Sequence, residues 1–328
     1  MQKIALLLST TLLLVACQNN PIQGQDTTQT QSTQMSDSAE APATVESAVD
    51  SSASSVEHQD ESSVSQRGIR QAWTDYSSYA EVDDGGYAYY IYNDPDISSE
   101  IFPLSDVSSE RVVLFTFDDA PAPDSYAVKM AELMKEKDVN AIFLVNGMYL
   151  EDEYGQEITK TIYDMGFEIG NHTQTHANLR ELSYEEQYAE INRTSEMVEE
   201  ITGEAPRWFR PPFGLYNMDT LEICNDLGMQ LMTWSFGYDW MDEYLDGDAL
   251  AEVSLNNKYL RPGNNILMHD RPWTYEALEE MIDGYRAMGL EIVDPLLIKH
   301  QENNLEVHGI GEDGEYITTD DAAEGEAT

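Results

Sequence analysis

The sequence predicts an α/β fold on a parallel sheet, and its structured part suits a single α/β barrel. Three observations predict it. Apolar runs of strand character alternate with amphipathic helical patterns from Arg111 to Val293, as repeated βα units do. The stretch from about residue 70 to 300 has the length that one such barrel needs. Several of the apolar runs end in acids, imidazoles or a guanidinium, and in barrels of this class the C-terminal strand ends share one mouth.

Taken in order, Arg111–Phe117 is the first strand of that series and Ser125–Lys137 the helix after it. A strand follows at Ala141–Val145, then a helix at Gly155–Met165 stopped by Gly166, then a short strand at Phe167–Gly170. The helix predicted over Ser183–Ile201 opens on a capping box, Ser183 with Glu186, and ends before Gly203. Further strands are expected at Arg207–Arg210, Met229–Trp234, Asn264–His269 and Leu290–Val293, with helical patterns between most of them. Trp73–Asp106, with its AYYIY run, reads as a small N-terminal hairpin or cap. Residues 68–106 are therefore set apart as an extension, and 107–300 as the main domain.

The flanks are of another kind. In MQKIALLLSTTLLLVAC, Lys3 precedes an apolar run from Ile4 to Ala16. That run is too short to span a bilayer and fits the h-region of a secretory signal. Leu14-Val15-Ala16-Cys17 resembles the lipobox of bacterial lipoproteins. The resemblance implies removal of residues 1–16 and a diacylglycerol on Cys17, an extracytoplasmic protein anchored to the bacterial cell membrane. Residues 17–67 then form a tether. From Gln18 to Ala72 there is no aromatic residue, and no Lys or Arg before Arg67, so ordering entropy would not be offset by burial. The acidic, Gly-containing tail, 301–328, is likewise expected to be flexible. A net charge of −45, from 62 acidic and 17 basic residues, excludes nucleic acid as a partner and electrostatic docking on anionic lipid. Cys224 is the only other cysteine. No intramolecular disulfide framework is possible in the mature chain, and Cys224 should be a buried core residue.

The polar residues at strand ends carry the chemistry. Asp118 and Asp119 close one strand, and His172 and His176 follow another in GNHTQTH. Arg210 closes a third in FRPPFG, Asp239 and Trp240 follow a fourth in GYDW, and His269 ends a fifth in ILMHD. Five segments delivering acids, bases and ligands to one mouth point to an enzyme. His172 and His176 are four apart, so one helical turn would set both imidazoles on one face. Two histidines, one carboxylate and an open position make a catalytic zinc arrangement. The Thr-Gln-Thr centre lacks the Glu of HExxH, which excludes that metalloprotease motif. Of the two aspartates, one can complete the metal site and the other accept a proton from water. A turn at Ala120-Pro121 is expected to splay both into the mouth. A lone Asp pair more often just caps a turn.

TFDDAP, HTQTH, RPPFG, the DW pair and LMH stand in the order of the polysaccharide deacetylase family, the NodB-homology or carbohydrate esterase 4 enzymes. The chain resembles that family over about residues 111–270, and NAIFLVNG resembles its strand after the first motif. The resemblance implies a distorted (β/α)7 barrel and metal-assisted removal of acetyl groups from N-acetylated sugars. On that resemblance Asp118 is the general base, and Asp119, His172 and His176 hold one divalent ion, Zn2+ first, with Co2+ or another ion as the alternative. His269 is the general acid, Arg210 orients the base, and Asp239 pairs with the acid. The Phe213 amide helps the oxyanion, and Trp240 and Leu267 wall the acetyl pocket. Three positions depart from the family pattern: Ala120 replaces the usual Gly, Phe213 the more frequent Tyr, and WSFGYDW is one residue shorter between its tryptophans.

The function expected is a hydrolase of linear amides acting on an acetylated glycan. Peptidoglycan N-acetylglucosamine is favoured, because a lipid-anchored extracytoplasmic enzyme faces the wall. Chitooligosaccharide and exopolysaccharide are alternatives, as are an O-acetyl esterase on xylan and a non-catalytic glycan- or metal-binding lipoprotein. A monomer is expected. Trp234 reads as core; His58, His300 and His308 are not expected to be ligands. Tyr216, Trp273 and Tyr275 read equally as cleft or packing residues.

Overall fold

The computed structural model describes residues 70–94, 98–303, 307–310 and 316–318. The leader, Cys17 and the whole expected tether lie outside the described residues. The Tyr-rich run folds as an antiparallel hairpin, β1 (Tyr89–Asp94) with β2 (Ser98–Pro103). Its period of two buries Tyr89, Ile91 and Ile101 and leaves Tyr92 and Phe102 exposed.

The chain then alternates as βα units do. In order these are β3 (Val112–Ala120), α1 (Ala127–Glu136), β4 (Ile142–Val145), α2 (Glu153–Asp164), β5 (Glu168–Asn171) and α3 (Tyr184–Thr202). There follow β6 (Trp208–Phe209), α4 (Met218–Asp226), β7 (Gln230–Leu231), α5 (Gly247–Leu255), β8 (Asn265–His269), α6 (Pro272–Ala287) and β9 (Glu291–Ile292). Local chemistry sets the helix ends. Asp152 caps α2 by accepting from the Gly155 amide. Ser183 and Glu186 form both bonds of the capping box on α3, and Gly203 closes that helix at φ 83°.

Seven strands make one parallel sheet in the order β7-β6-β5-β4-β3-β8, with β9 pairing the first residues of β3. The sheet is curled. Gln230 and Leu231 pair with β6, and further along the same segment Phe236 bridges Ile266 in β8. The run 229–234, expected as one strand, thus pairs with β6 only near its start before the chain crosses toward β8, and two of its residues form β7. The arrangement is a distorted (β/α) barrel.

Alternation along these strands separates an outward from an inward core, and Phe209 and Leu231 join a further cluster with α3 and α4. Phe115, Phe117, Phe143, Ile169, Ile266 and Met268 face outward into a cluster shared with the helices. Leu114, Ile142, Leu144, Trp208 and Met232 face inward and meet Tyr89, Ile91 and Ile101 of the hairpin. The hairpin, joined by β10 (Ile298–Lys299) in parallel with β1, therefore plugs the end of the barrel where the strands begin. Asp294, fully buried there, accepts from the amides of Trp73, Thr74 and Leu296, the Thr74 hydroxyl and the Asn140 amide. Those bonds strap residues 73–74 to the barrel. Cys224 is buried in α4.

The tail departs from expectation. β11 (Val307–Ile310) and β12 (Tyr316–Thr318) pair antiparallel, with Val307 opposite Thr318 and Ile310 opposite Tyr316. Short β-branched and aromatic runs suffice for strands even in an acidic context. Among the described residues no helix is long and apolar enough to cross a membrane.

Candidate active site

At the opposite end, where the parallel strands finish, the polar residues converge. β3 continues through both aspartates to Ala120, but its register against β4 shifts between Phe117 and Ala120, and Asp119 takes φ 60°. That bulge, and not the turn at Ala120-Pro121, turns two neighbouring carboxylates into one mouth. Asp118 stays on the inward face with Thr116. His172 and His176 do not lie on a helix, contrary to the expected single turn. They follow β5 on an irregular loop in which Thr173 (φ 68°) and His176 (φ 59°) are both left-handed. Their rings still meet, centroids 5.0 Å apart.

Asp119 Oδ1 lies 3.9 Å from His172 Nε2 and 3.7 Å from His176 Nε2. Among the described residues these three form a grouping with ligand atoms all within 4.8 Å of one another. A tetrahedral ion with ligands at about 2.0–2.1 Å needs donors about 3.4 Å apart, so a modest contraction closes the set. The donors are also prepared. His172 Nδ1 donates to the Arg210 carbonyl at 2.7 Å, which leaves Nε2 bare for a ligand bond. Burial opposes ionisation of Asp119, but His172, His269, His176 and Arg271 outweigh it and hold its carboxyl below the usual range. Burial, then the neighbouring His172, pushes the His176 pKa down. An ionised carboxylate and a neutral imidazole are the forms a metal takes. The residues present fit a divalent ion.

Two ion pairs flank this triad. Arg210, fully buried, donates to Asp118 Oδ1 at 2.7 Å, and also to Thr116 Oγ1, the Thr233 carbonyl and Asn265 Oδ1. Asp118 Oδ2 stands 3.6 Å from His172 Nε2. On the neighbouring strand His269, the register partner of Asp118, donates Nδ1 to Asp239 Oδ1 at 2.8 Å. Asp239 is buried and also accepts from the His269 amide and the Thr274 hydroxyl through Oδ2. The Trp273 indole bonds its carbonyl.

Phe213 sits on the turn after Arg210 at φ 60°, its ring edge-on to His176 at 4.7 Å. Leu267 shares the inward face with His269, and Trp240 lies edge-on to His269 at 5.7 Å. Trp234 is not core: it is half-buried and edge-on to Trp240 at 6.2 Å, part of the same wall. His300 lies beside Trp208, away from this mouth.

The structure adds residues that the sequence reading did not assign. Asn146, at the end of β4, donates to Asp119 Oδ1 at 3.2 Å. Asp270 accepts from the amides of Ala122 and Tyr126 and from Ser125, tying the loop after the aspartates to the end of β8. Arg271 reaches Asp119 Oδ2 at 3.4 Å. Each depends on a neighbouring strand, so spacing alone carried no signal. Outer contacts of this kind typically change metal affinity by about 10–100-fold. Asn146→Ala is accordingly expected to weaken metal binding about tenfold, read by competition with a chelating dye; an unchanged affinity would remove Asn146 from the site.

Residues 105–232 match the family model described as polysaccharide deacetylase. The chitooligosaccharide deacetylase of Azorhizobium caulinodans is 32% identical over 184 residues, 56% of this chain and 84% of that protein. The peptidoglycan-N-acetylglucosamine deacetylase of Bacillus cereus is 29% identical over 198 residues, 58% of this chain and 70% of that protein. Among solved structures, a carbohydrate esterase family 4 pseudoenzyme from Bacillus anthracis is similar at a TM-score of 0.51 and 30% identity, over 56% of this chain and 63% of that one. The chain belongs to the polysaccharide deacetylase family, the carbohydrate esterase family 4 deacetylases.

Proposed function

We propose that the chain is a metal-dependent N-deacetylase that removes acetyl groups from amino sugars of a cell-wall polysaccharide, with peptidoglycan N-acetylglucosamine as the favoured substrate. One observation carries this reading. A carboxylate and an imidazole, Asp118 and His269, are register partners on adjacent strands beside the Asp119, His172, His176 triad, and each has its own buried partner of opposite charge. A protein that merely bound metal would need neither Arg210 nor Asp239.

In this reading Asp119, His172 and His176 hold one divalent ion, zinc first. An ion there supplies Lewis-acid activation of water and of the acetyl carbonyl. Asp118, oriented by Arg210, takes a proton from the attacking water. The Phe213 amide donates to the oxygen on which charge develops, while Trp240 and Leu267 enclose the acetyl methyl. His269, held by Asp239, protonates the departing amine, and acetate and a free amino sugar result. We further assign residues 1–16 as a cleaved signal, Cys17 as the lipid attachment, 17–67 as a tether and 107–300 as the catalytic domain, which would place the enzyme outside the cell membrane.

The test is acetate release by the metal-loaded protein from peptidoglycan fragments, chitooligosaccharides and acetylated xylan, before and after chelation. Release from an N-acetylated substrate, lost with the metal and restored by zinc, is expected. Release from xylan alone would make it an O-acetyl esterase. Metal binding with no release from any of them would leave a non-catalytic relative, as the pseudoenzyme similarity allows.

A further inference from the structure

Among the described residues, the mouth contains a cation that the proposed chemistry does not use. Arg271 follows Asp270 at the end of β8 and starts α6 without capping it through its side chain. Its guanidinium makes two hydrogen bonds among the described residues, to the Asp270 carbonyl at 3.2 Å and to Asp119 Oδ2 at 3.4 Å. Both are longer than a charge-assisted bond normally is.

Arg210 is the instructive contrast. It is fully buried, makes four bonds and pairs with its carboxylate at 2.7 Å. Arg210 is built into the barrel, whereas Arg271 is presented at its opening, 34% exposed beside an Asp119 that is 21% exposed. Arg271 also approaches the outer oxygen of Asp119, while Oδ1 faces the two imidazoles. It therefore leaves the ion-binding side of the carboxylate open. The Tyr149 phenol, pushed up first by burial and then by Asp119 and drawn down by Arg271, sits in the field of the same pair.

We infer that Arg271 is a specificity-determining residue that binds a carboxylate carried by the glycan, on the reacting sugar or the sugar next to it. The inference rests on the deacetylase reading and narrows it to anionic amino-sugar polymers. A guanidinium with unused donors in a planar fork is the side chain suited to that group. The local charge answers a specific problem. A protein of net charge −45 repels polyanions over most of its surface, so an anionic strand needs a cation where it enters. Two sources offer the same chemistry, the free lactyl carboxylate of muramic acid in glycan strands without stem peptides and the uronic acid of an exopolysaccharide.

The experiment compares kcat/KM for acetate release from three N-acetylated substrates: a neutral chitooligosaccharide, glycan strands carrying free lactyl carboxylates, and a polymer containing uronic acid. The full-length protein, Arg271→Gln and Arg271→Lys are loaded with zinc, and their zinc content is measured. Hydrogen bonds to charged groups are worth about 10–100-fold, so wild type is expected to prefer a carboxylate-bearing substrate by about that factor. Arg271→Gln should bring the preference close to one, and Arg271→Lys should keep part of it. Added salt should erode the preference in wild type and not in Arg271→Gln. Which polymer is preferred identifies the source of the carboxylate. A wild-type preference near one, or equal losses on all substrates with reduced zinc content, would overturn the inference and make Arg271 a support for Asp119. If wild type released acetate from none of the substrates, the deacetylase reading itself would fail, a result distinct from either.

Discussion

Replacing Asp118 with asparagine is expected to lower kcat/KM for acetate release by about 10²–10⁴-fold, the range a positioned general base contributes, with zinc affinity nearly unchanged. The two effects separate because of where the neighbouring carboxylates sit. Asp119 Oδ1 faces both imidazoles, whereas Asp118 spends Oδ1 on Arg210 at 2.7 Å and keeps Oδ2 3.6 Å from His172 Nε2. Asparagine can still accept from Arg210 through its carbonyl, so the fold keeps that bond. The amide then turned toward the ion site has no basic lone pair. Breaking a buried pair outright costs about 3–5 kcal/mol when one charge is left without partners. Here Arg210 retains Thr116, Thr233 and Asn265, so a smaller loss of stability is expected, and Tm should be measured beside the kinetics. Full activity in Asp118→Asn would falsify its assignment as base. Loss of zinc together with activity would move Asp118 into the ligand set.

Much of this arrangement is visible in the sequence because apolar runs and their stops are local signals. Ala141–Val145 and Asn264–His269 could be placed because strands buried on both faces are continuous apolar runs. The long α3 was bounded by Ser183, Glu186 and Gly203, whose chemistry acts within one turn. What failed was conformation that neighbours impose. The spacing of His172 and His176 is equally that of a helical turn and of a loop with two left-handed residues, and bonds to residues 147–148, to Glu190 of α3 and to the Arg210 carbonyl decide. The bulge at Asp119 is likewise a product of β4, and Trp234 leaves the core because its segment crosses from β6 to β8. Asn146 comes from the end of β4, and Asp270 and Arg271 from the end of β8. Their importance is a property of strand order, which spacing does not encode.

Strand order also sets the second large effect, that of Asp239→Asn on His269. Burial pulls the His269 pKa down, but Asp239, with smaller help from Asp119 and Asp118, outweighs it and raises the value above that of an ordinary histidine. Both carboxylate oxygens of Asp239 are engaged. Oδ2 takes the His269 amide and the Thr274 hydroxyl, and Oδ1 takes Nδ1 at 2.8 Å. Asparagine offers one acceptor. If it keeps the bonds from the amide and hydroxyl, its NH2 faces Nδ1, and the imidazole must become neutral to accept it. The protonated acid is then lost near neutrality. We expect kcat/KM at neutral pH to fall about 10²-fold, the lower end of what a positioned acid supplies, with the alkaline limb of the pH profile moved to lower pH. The sign for stability follows from the same shift. A raised histidine pKa contributes stability that is fully present below the unfolded value of about 6.5 and is lost as pH rises through the folded one. The Tm difference between wild type and Asp239→Asn should therefore be widest in acid and narrow as pH rises. In a His269→Ala background both the kinetic and the pH effect should vanish, since the two residues act as one unit. An alkaline limb that stayed in place in Asp239→Asn would mean that some other group donates the proton to the leaving amine.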